Sequence, residues 1–148
     1  TVQAWFRTYL TDRKLVVRFT NQTSDAFVPS SGVSQSSHLG PLLFSIFINE
    51  IKEVTKVPFL LFADDIKLFL EVSSSADCEH LQQALNCISK RCQRNGMSIN
   101  ASKTKLMTFK RTTSSIDFKN SLDDKLLDHC TSIKDLGIVL DSSFGYSL

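Results

Sequence analysis

The 148-residue sequence predicts an α+β fold, an antiparallel sheet covered by helices on one face. Three observations carry this expectation. Two short apolar runs flank a pair of aspartates in Pro58 to Leu70 (PFLLFADDIKLFL), a helix-periodic stretch runs from Ser75 to Arg94, and the predicted elements follow the order helix, two strands, helix, hairpin, helix, strands. Apolar residues make up 42% of the chain, with eleven Phe against five Gly and three Pro. That composition supports a packed core in one domain or in a piece of a larger one.

Val2, Trp5, Phe6, Tyr9 and Leu10 recur at helical spacing and predict an amphipathic helix over Thr1 to Leu10. Lys14 to Phe19 alternates, with Leu15, Val17 and Phe19 on one side, and reads as a half-buried strand with a basic outer edge. Asn21 to Asp25 has turn chemistry, and Ala26 to Val28 makes a second short strand ended by Pro29. Ser30 to Gly40 (SSGVSQSSHLG) is a loop of small polar residues. Pro41 suits the first turn of the next helix, which extends to Glu53 and is apolar nearly all round, as a buried helix would be.

Phe59 to Ala63 and Ile66 to Leu70 read as buried strands joined by a tight turn carrying Asp64 and Asp65. Two-residue hairpin turns favour Gly or Asn-Gly because positive φ is needed there. Two adjacent carboxylates repel one another, and no basic residue stands beside them. A local rule broken within an otherwise consistent hairpin marks a candidate functional site. Ser73 to Ser75 then offer caps to a helix whose Cys78, Leu81, Leu85, Ile88 and Cys92 face the core and whose Gln82, Gln83, Asn86, Lys90, Gln93 and Arg94 hold the other face. Asn95-Gly96 stops it. Met97 to Ile99, Lys105 to Phe109, Ile116 to Phe118, Lys125 to Leu127 and Leu136 to Leu140 are predicted as short strands of a hairpin-rich tail.

Cys78, Cys87, Cys92 and Cys130 show neither CxxC nor a His-paired zinc spacing; Cys78 and Cys92 fall on the buried stripe of a predicted helix and read as small core hydrophobes, and a reducing, intracellular compartment fits. No apolar run approaches the roughly 20 residues of a membrane helix, no signal peptide is visible, and a nuclear or cytoplasmic location is expected. Net charge is +2 but uneven. Seven basic residues and no acidic ones lie between Lys90 and Arg111, while six Asp face three Lys from Thr112 onward. The basic band suits a polyanion, or simply a solvated helix end.

Carboxylates at a rigid turn suit a hard cation such as magnesium, shared with substrate phosphates. Two such ions about 4 Å apart clamp the attacking and leaving oxygens of a phosphoryl transfer. Neighbouring strand residues point to opposite faces, so both aspartates ligate well only if the turn twists one round, and a further carboxylate is required. From spacing alone, a solvent-exposed Asp-Asp turn remains an equal reading. A phospho-accepting domain would want its acidic pair near the first strand, which is not the arrangement here.

Phe62-Ala63-Asp64-Asp65 followed by Ile66-Lys67-Leu68 resembles the catalytic hairpin of reverse transcriptases, above all those of non-long-terminal-repeat retrotransposons of the jockey and chicken-repeat type. Four more blocks agree in order: Trp5 to Val17 with the helix and strand ahead of the template loop, Gly32 to Asn49 with the template- and nucleotide-contacting loop and its helix, Asn95 to Phe109 with the block carrying a lysine near the incoming nucleotide, and Lys134 to Asp141 with the primer-grip hairpin. The resemblance implies a partial polymerase palm over residues 1–111 and a primer-grip region leading to the thumb over 112–148, with the fingers absent. It implies an RNA template, a DNA primer and deoxynucleotide triphosphates as partners. Asp64 is then the principal ligand of two Mg2+ ions, Asp65 a supporting one, and Lys103 the group that protonates pyrophosphate. Gly32, Gln35 and Ser36 line the template and nucleotide pocket, and Leu136 and Gly137 seat the primer end. The family motif Pro-Gln-Gly stands here as Ser34-Gln35-Ser36, which adds a Cβ where backbone approaches substrate. The family's first catalytic aspartate belongs to a strand ahead of Thr1, so the expectation is a fragment inactive on its own. The alternative is a non-enzymatic, decayed retroelement remnant with at most weak nucleic-acid binding.

Overall fold

A computed structural model describes residues 1–29, 32–33, 37–110, 116, 118–143 and 146–147. The chain divides into two compact units, Thr1–Ile48 and Asn49–Leu148.

In the first unit, α1 spans Val2–Leu10, and the Thr1 hydroxyl caps it by accepting from the Ala4 amide at 3.3 Å. Trp5 stacks on Tyr9 one turn on, with ring centroids 5.3 Å apart, and meets Phe6 edge-on. A short hairpin follows, β1 (Arg18–Phe19) and β2 (Gln22–Thr23), prolonged by a bridge in which Leu15 and Phe27 exchange both backbone hydrogen bonds. The predicted half-buried strand is corrected here, because Leu15, Val17 and Phe19 are all exposed, Phe19 by 80%. α2 covers Leu39–Ile48 and begins two residues earlier than Pro41, because the Ser37 hydroxyl accepts from the amides of Leu39 and Gly40 and starts the helix. The buried helix predicted there is also corrected. Leu42, Ile46 and Phe47 are exposed, and within α2 only Gly40 and Ile48 are buried.

The second unit opens with a 3₁₀ turn over Asn49–Glu53, followed by the hairpin of β3 (Phe59–Phe62) and β4 (Asp65–Leu68). α3 (Ser75–Arg94) is the longest element, and its boundaries follow the sequence signals. The Asp77 carboxylate accepts from the amides of Ser73 and Ser74 and from the Ser74 hydroxyl, all within 2.9 Å, which holds its carboxyl below the usual carboxylate value. At the other end Asn95 caps the helix and Gly96 turns out with φ +71°. Cys78, Ala84, Ile88 and Cys92 on its inner stripe join Ile51, Val57 and Leu122 in the core. Burial raises the pKa of the Cys78 and Cys92 thiols, as expected of small core hydrophobes.

The predicted polar side of α3 is not all solvated. Gln82 accepts from the Ser121 amide and donates to the Ser121 carbonyl, both at 2.8 Å, so it docks β6 (Ser121–Leu122) as an adjacent strand would. Ser89 and Gln93 hold the Asp123 carboxylate at the turn before β7 (Lys125–Leu126). β5 (Lys105–Leu106) pairs parallel with β8 (Asp128–His129), and β9 (Ser132–Asp135), β10 (Ile138–Asp141) and β11 (Tyr146–Ser147) form an antiparallel sheet in the order β11-β10-β9. The α+β class therefore stands. The strands assort among the described residues into five small sheets, four of them two-stranded, where one continuous sheet was expected. Met97 to Ile99 forms no strand, and the predicted strand at Ile116 to Phe118 includes a residue outside the described ones. No helix among the described residues is long and apolar enough to cross a membrane.

Candidate catalytic hairpin

The β3–β4 register fixes where each aspartate sits. Phe59 pairs with Leu68, Leu60 with Lys67, Leu61 with Ile66, and Phe62 with Asp65. The two-residue turn is therefore Ala63-Asp64, and Asp65 is the first residue of β4. This corrects the expectation that both aspartates occupy the turn. Alternation explains the burial, because Phe59, Leu61, Ile66 and Leu68 share the inner face while Leu60, Phe62, Asp65 and Lys67 share the outer one. Asp64 projects from the turn and Asp65 from the outer face, both exposed. The one-residue offset separates the directions of the two carboxylates and leaves both open to a ligand. Asp123-Asp124 offers an internal comparison, since there both turn positions are acidic, with φ +48° and +63°. A plain Asp-Asp turn in this chain thus has a different geometry.

Ala63 carries the strain, at φ +51°. With positive φ at the first central residue, the position asks for glycine, and Ala holds a left-handed conformation that costs about 1 kcal/mol or more. Strain of the same kind is found in the β9–β10 hairpin, whose turn is Leu136-Gly137 at φ +48° and +90°. Leu136 was expected to open a strand and instead occupies the turn, exposed by 56%. Positive φ at both positions is the pattern of a type I′ turn, and Gly137 satisfies it while Leu136 does so under strain.

The two hairpins are joined. Lys67 Nζ on β4 donates to Asp135 Oδ2 on β9 at 2.5 Å, with the side chains 36% and 24% exposed. Lys67 stands two residues after Asp65 on the same face, and Asp135 immediately precedes Leu136. Sequence reasoning missed both residues, since nothing local pairs positions 68 apart. The available signal was Lys67 as the one cation within the hairpin.

Lys103 lies in a turn organised by Asn100, whose side-chain oxygen accepts from the amides of Ser102 and Lys103. Its ammonium meets no partner among the described residues. The turn is anchored on one side by Lys125 Nζ donating to the Ser102 hydroxyl at 2.8 Å, and beyond it by the Lys105–Asp128 ion pair at 2.7 Å, whose hydrogen bond lowers the Asp128 carboxyl pKa. Gly32, in the first unit, has φ +88°, and its carbonyl accepts from Arg13 Nη2. Gln35 and Ser36 lie outside the described residues.

The donor chemistry at Asp64 and Asp65, exposed carboxylate oxygens, fits a hard divalent cation. The set is two carboxylates, and no group of three or more His, Cys, Asp or Glu side chains able to hold a metal occurs among the described residues.

The chain belongs to the reverse transcriptase (RNA-dependent DNA polymerase) family, whose model matches residues 1–140. It is 32% identical over 145 residues to the probable RNA-directed DNA polymerase from transposon BS of Drosophila melanogaster, covering 91% of this chain and 16% of that protein. It is 29% identical to the RNA-directed DNA polymerase from mobile element jockey and 28% identical to the probable RNA-directed DNA polymerase from transposon X-element, both of Drosophila melanogaster, each match covering 95% of this chain. The chain spans 16% of the length of these three relatives. No solved structure matches it.

Proposed function

We propose that this chain is the part of an RNA-directed DNA polymerase that carries the acidic hairpin, the leaving-group lysine and the primer-seating turn. The observation that supports it most is the turn itself, with Asp64 and Asp65 both exposed and differently directed on a rigid, apolar-backed hairpin. In this reading residues 1–111 belong to the palm and 112–148 to the primer-grip region leading to the thumb. The RNA template, DNA primer and deoxynucleotide come together against the hairpin. Asp64, with Asp65 in support and a carboxylate from another part of the polypeptide, would hold Mg2+, which supplies charge neutralisation for phosphoryl transfer when bound.

The primer 3′-hydroxyl oxygen forms a bond to the α-phosphorus of the nucleotide as the bond to pyrophosphate breaks. The hydroxyl proton leaves to solvent, and the Lys103 ammonium gives its proton to the departing pyrophosphate oxygen. Leu136 and Gly137 seat the primer end, and the Lys67–Asp135 bridge keeps that turn in register with β4. Template and nucleotide contacts are assigned to Gly32, Gln35 and Ser36 by the sequence resemblance alone.

The test is deoxynucleotide incorporation on an RNA template by the longer polypeptide that contains this chain. Asp64→Asn is expected to lower incorporation by at least ~100-fold, the scale of one preorganised charge-stabilising group. Unchanged incorporation in Asp64→Asn refutes the assignment. The sequence Ser34-Gln35-Ser36, where the family motif reads Pro-Gln-Gly, favours a second reading, a non-catalytic remnant with at most weak nucleic-acid binding, and this predicts no incorporation in any form of the longer polypeptide.

A further inference from the structure

α3 carries a feature outside the hairpin. Cys87, Lys90, Arg91 and Arg94 recur every three or four residues on one helical face, and with Val54 they line a groove of about 300 Å³. Arg91 crosses to Glu50 on the 3₁₀ turn through Nη2. Its Nε is buried without a hydrogen-bond partner among the described residues. Lys90 and Arg94 form no ion pair there, and both are exposed. The groove thus presents three cations against the single carboxylate of Glu50, over a floor of valine and cysteine.

The negative end of a helix favours cations, which accounts for Arg91 and Arg94 in the last turn. It does not account for the placement of Lys90 four residues before Arg94, since like charges at that spacing oppose one another. An oxyanion in the groove would neutralise that repulsion and accept from the part of the Arg91 side chain that stays exposed beside its Glu50 partner.

We propose that this groove binds a phosphodiester of a single-stranded nucleic acid, as a contact separate from the Asp64-Asp65 turn. The choice of nucleic acid over other polyanions rests on the family reading above. Arg91, held by Glu50, presents its guanidinium edge-on to one phosphate, and Lys90 and Arg94 contact that phosphate or the next. Contacts of this kind hold and orient a strand without reading its bases.

Cys87 makes the proposal testable without catalysis. It is exposed in the groove, whereas Cys78 and Cys92 are buried and Cys130 is half-buried, so a maleimide labels Cys87 fastest and Cys130 serves as an internal reference. A single-stranded RNA oligonucleotide is expected to slow Cys87 labelling several-fold and leave Cys130 unchanged. In Lys90→Gln/Arg94→Gln, protection should be lost. The slope of log affinity against log salt, read by fluorescence anisotropy, should fall by about 0.7 for each phosphate contact removed. Both substituted side chains are exposed, so the fold is retained, as circular dichroism will report.

RNA that binds without slowing Cys87 labelling overturns the proposal. So does equal protection by inorganic phosphate at matched phosphate concentration, which would mark a free-anion site, or equal protection by poly-glutamate. Asp64→Asn should leave protection intact. Loss of incorporation in that variant with Cys87 still protected separates the hairpin's role from the groove's. Protection together with a lack of incorporation in the longer polypeptide would sink the catalytic reading alone.

Discussion

Replacing Lys67 by Met and Asp135 by Asn, singly and together, measures how firmly the β3–β4 and β9–β10 hairpins are joined. The Nζ–Oδ2 distance is 2.5 Å, but Lys67 remains 36% and Asp135 24% exposed, so water screens much of the attraction. Exposed pairs contribute about 0.2–1 kcal/mol in double-mutant cycles. The short distance and partial burial place this one near the top, about 1 kcal/mol. For a chain of this size that corresponds to a shift of ~2–4 °C in Tm. Urea denaturation of the four proteins, followed by helical circular dichroism, gives the coupling energy directly. It should shrink at high salt, and Lys67→Asp/Asp135→Lys should recover part of it. Additivity to within ~0.3 kcal/mol would show that the bridge does not couple β4 to β9, and the proposed register between the acidic turn and the primer-seating turn would fall with it.

At Ala63 the left-handed φ sets the outcome. Ala63→Gly should be near neutral, since relieved strain of about 1 kcal/mol is offset by a similar entropy in the unfolded chain, and Ala63→Val should destabilise by about 1–2 kcal/mol, both read from urea midpoints. Asp77, Asp128 and Asp141 all have folded carboxyl pKa values below the ordinary 3.8, chiefly through hydrogen bonds from Ser73, Lys105 and Ser143 respectively. Their stabilisation is therefore complete above that value and is lost as pH falls through the lower folded values. Acid titration should accordingly show stability falling below about pH 4, more shallowly in Asp77→Asn, with no change from these groups between pH 5 and 7. Mn2+ added as a paramagnetic probe should broaden NMR signals around residues 62–66 with an affinity on the order of millimolar, and Asp64→Asn/Asp65→Asn should abolish it. Broadening centred elsewhere would remove the hairpin as the metal locus.

The ends of α3 were legible because caps are local. Ser74, Asp77 and Asn95-Gly96 each act within a few residues, and the structure uses all of them. The β3–β4 hairpin was legible for the same reason, yet its turn was misplaced by one residue. Ala63, Asp64 and Asp65 are flanked symmetrically by apolar residues, so alternation does not say which pair turns, and Phe62↔Asp65 pairing decides it. Periodicity reports which residues are apolar and is silent about what covers them, hence the exposed Leu42, Ile46 and Phe47 where a buried helix was expected. The Leu136-Gly137 turn hid inside an apolar run because Leu at positive φ is rare. Gln82 docking Ser121, Lys67 meeting Asp135 and the parallel β5–β8 pair join residues 23 to 68 positions apart, and no local pattern encodes such pairs.

The β5–β8 pair carries a consequence for synthesis from the N-terminus. The Asn100 turn that presents Lys103 closes as soon as its own few residues exist. Its tethers, Lys125 on Ser102 and Asp128 on Lys105, lie more than twenty residues downstream. In a nascent chain that ends between residues 110 and 125 the Asn100 turn has neither tether, whereas both strands of the β3–β4 hairpin are already present. Asp64 and Asp65 thus precede, in the order of translation, the residues that anchor the Lys103 turn.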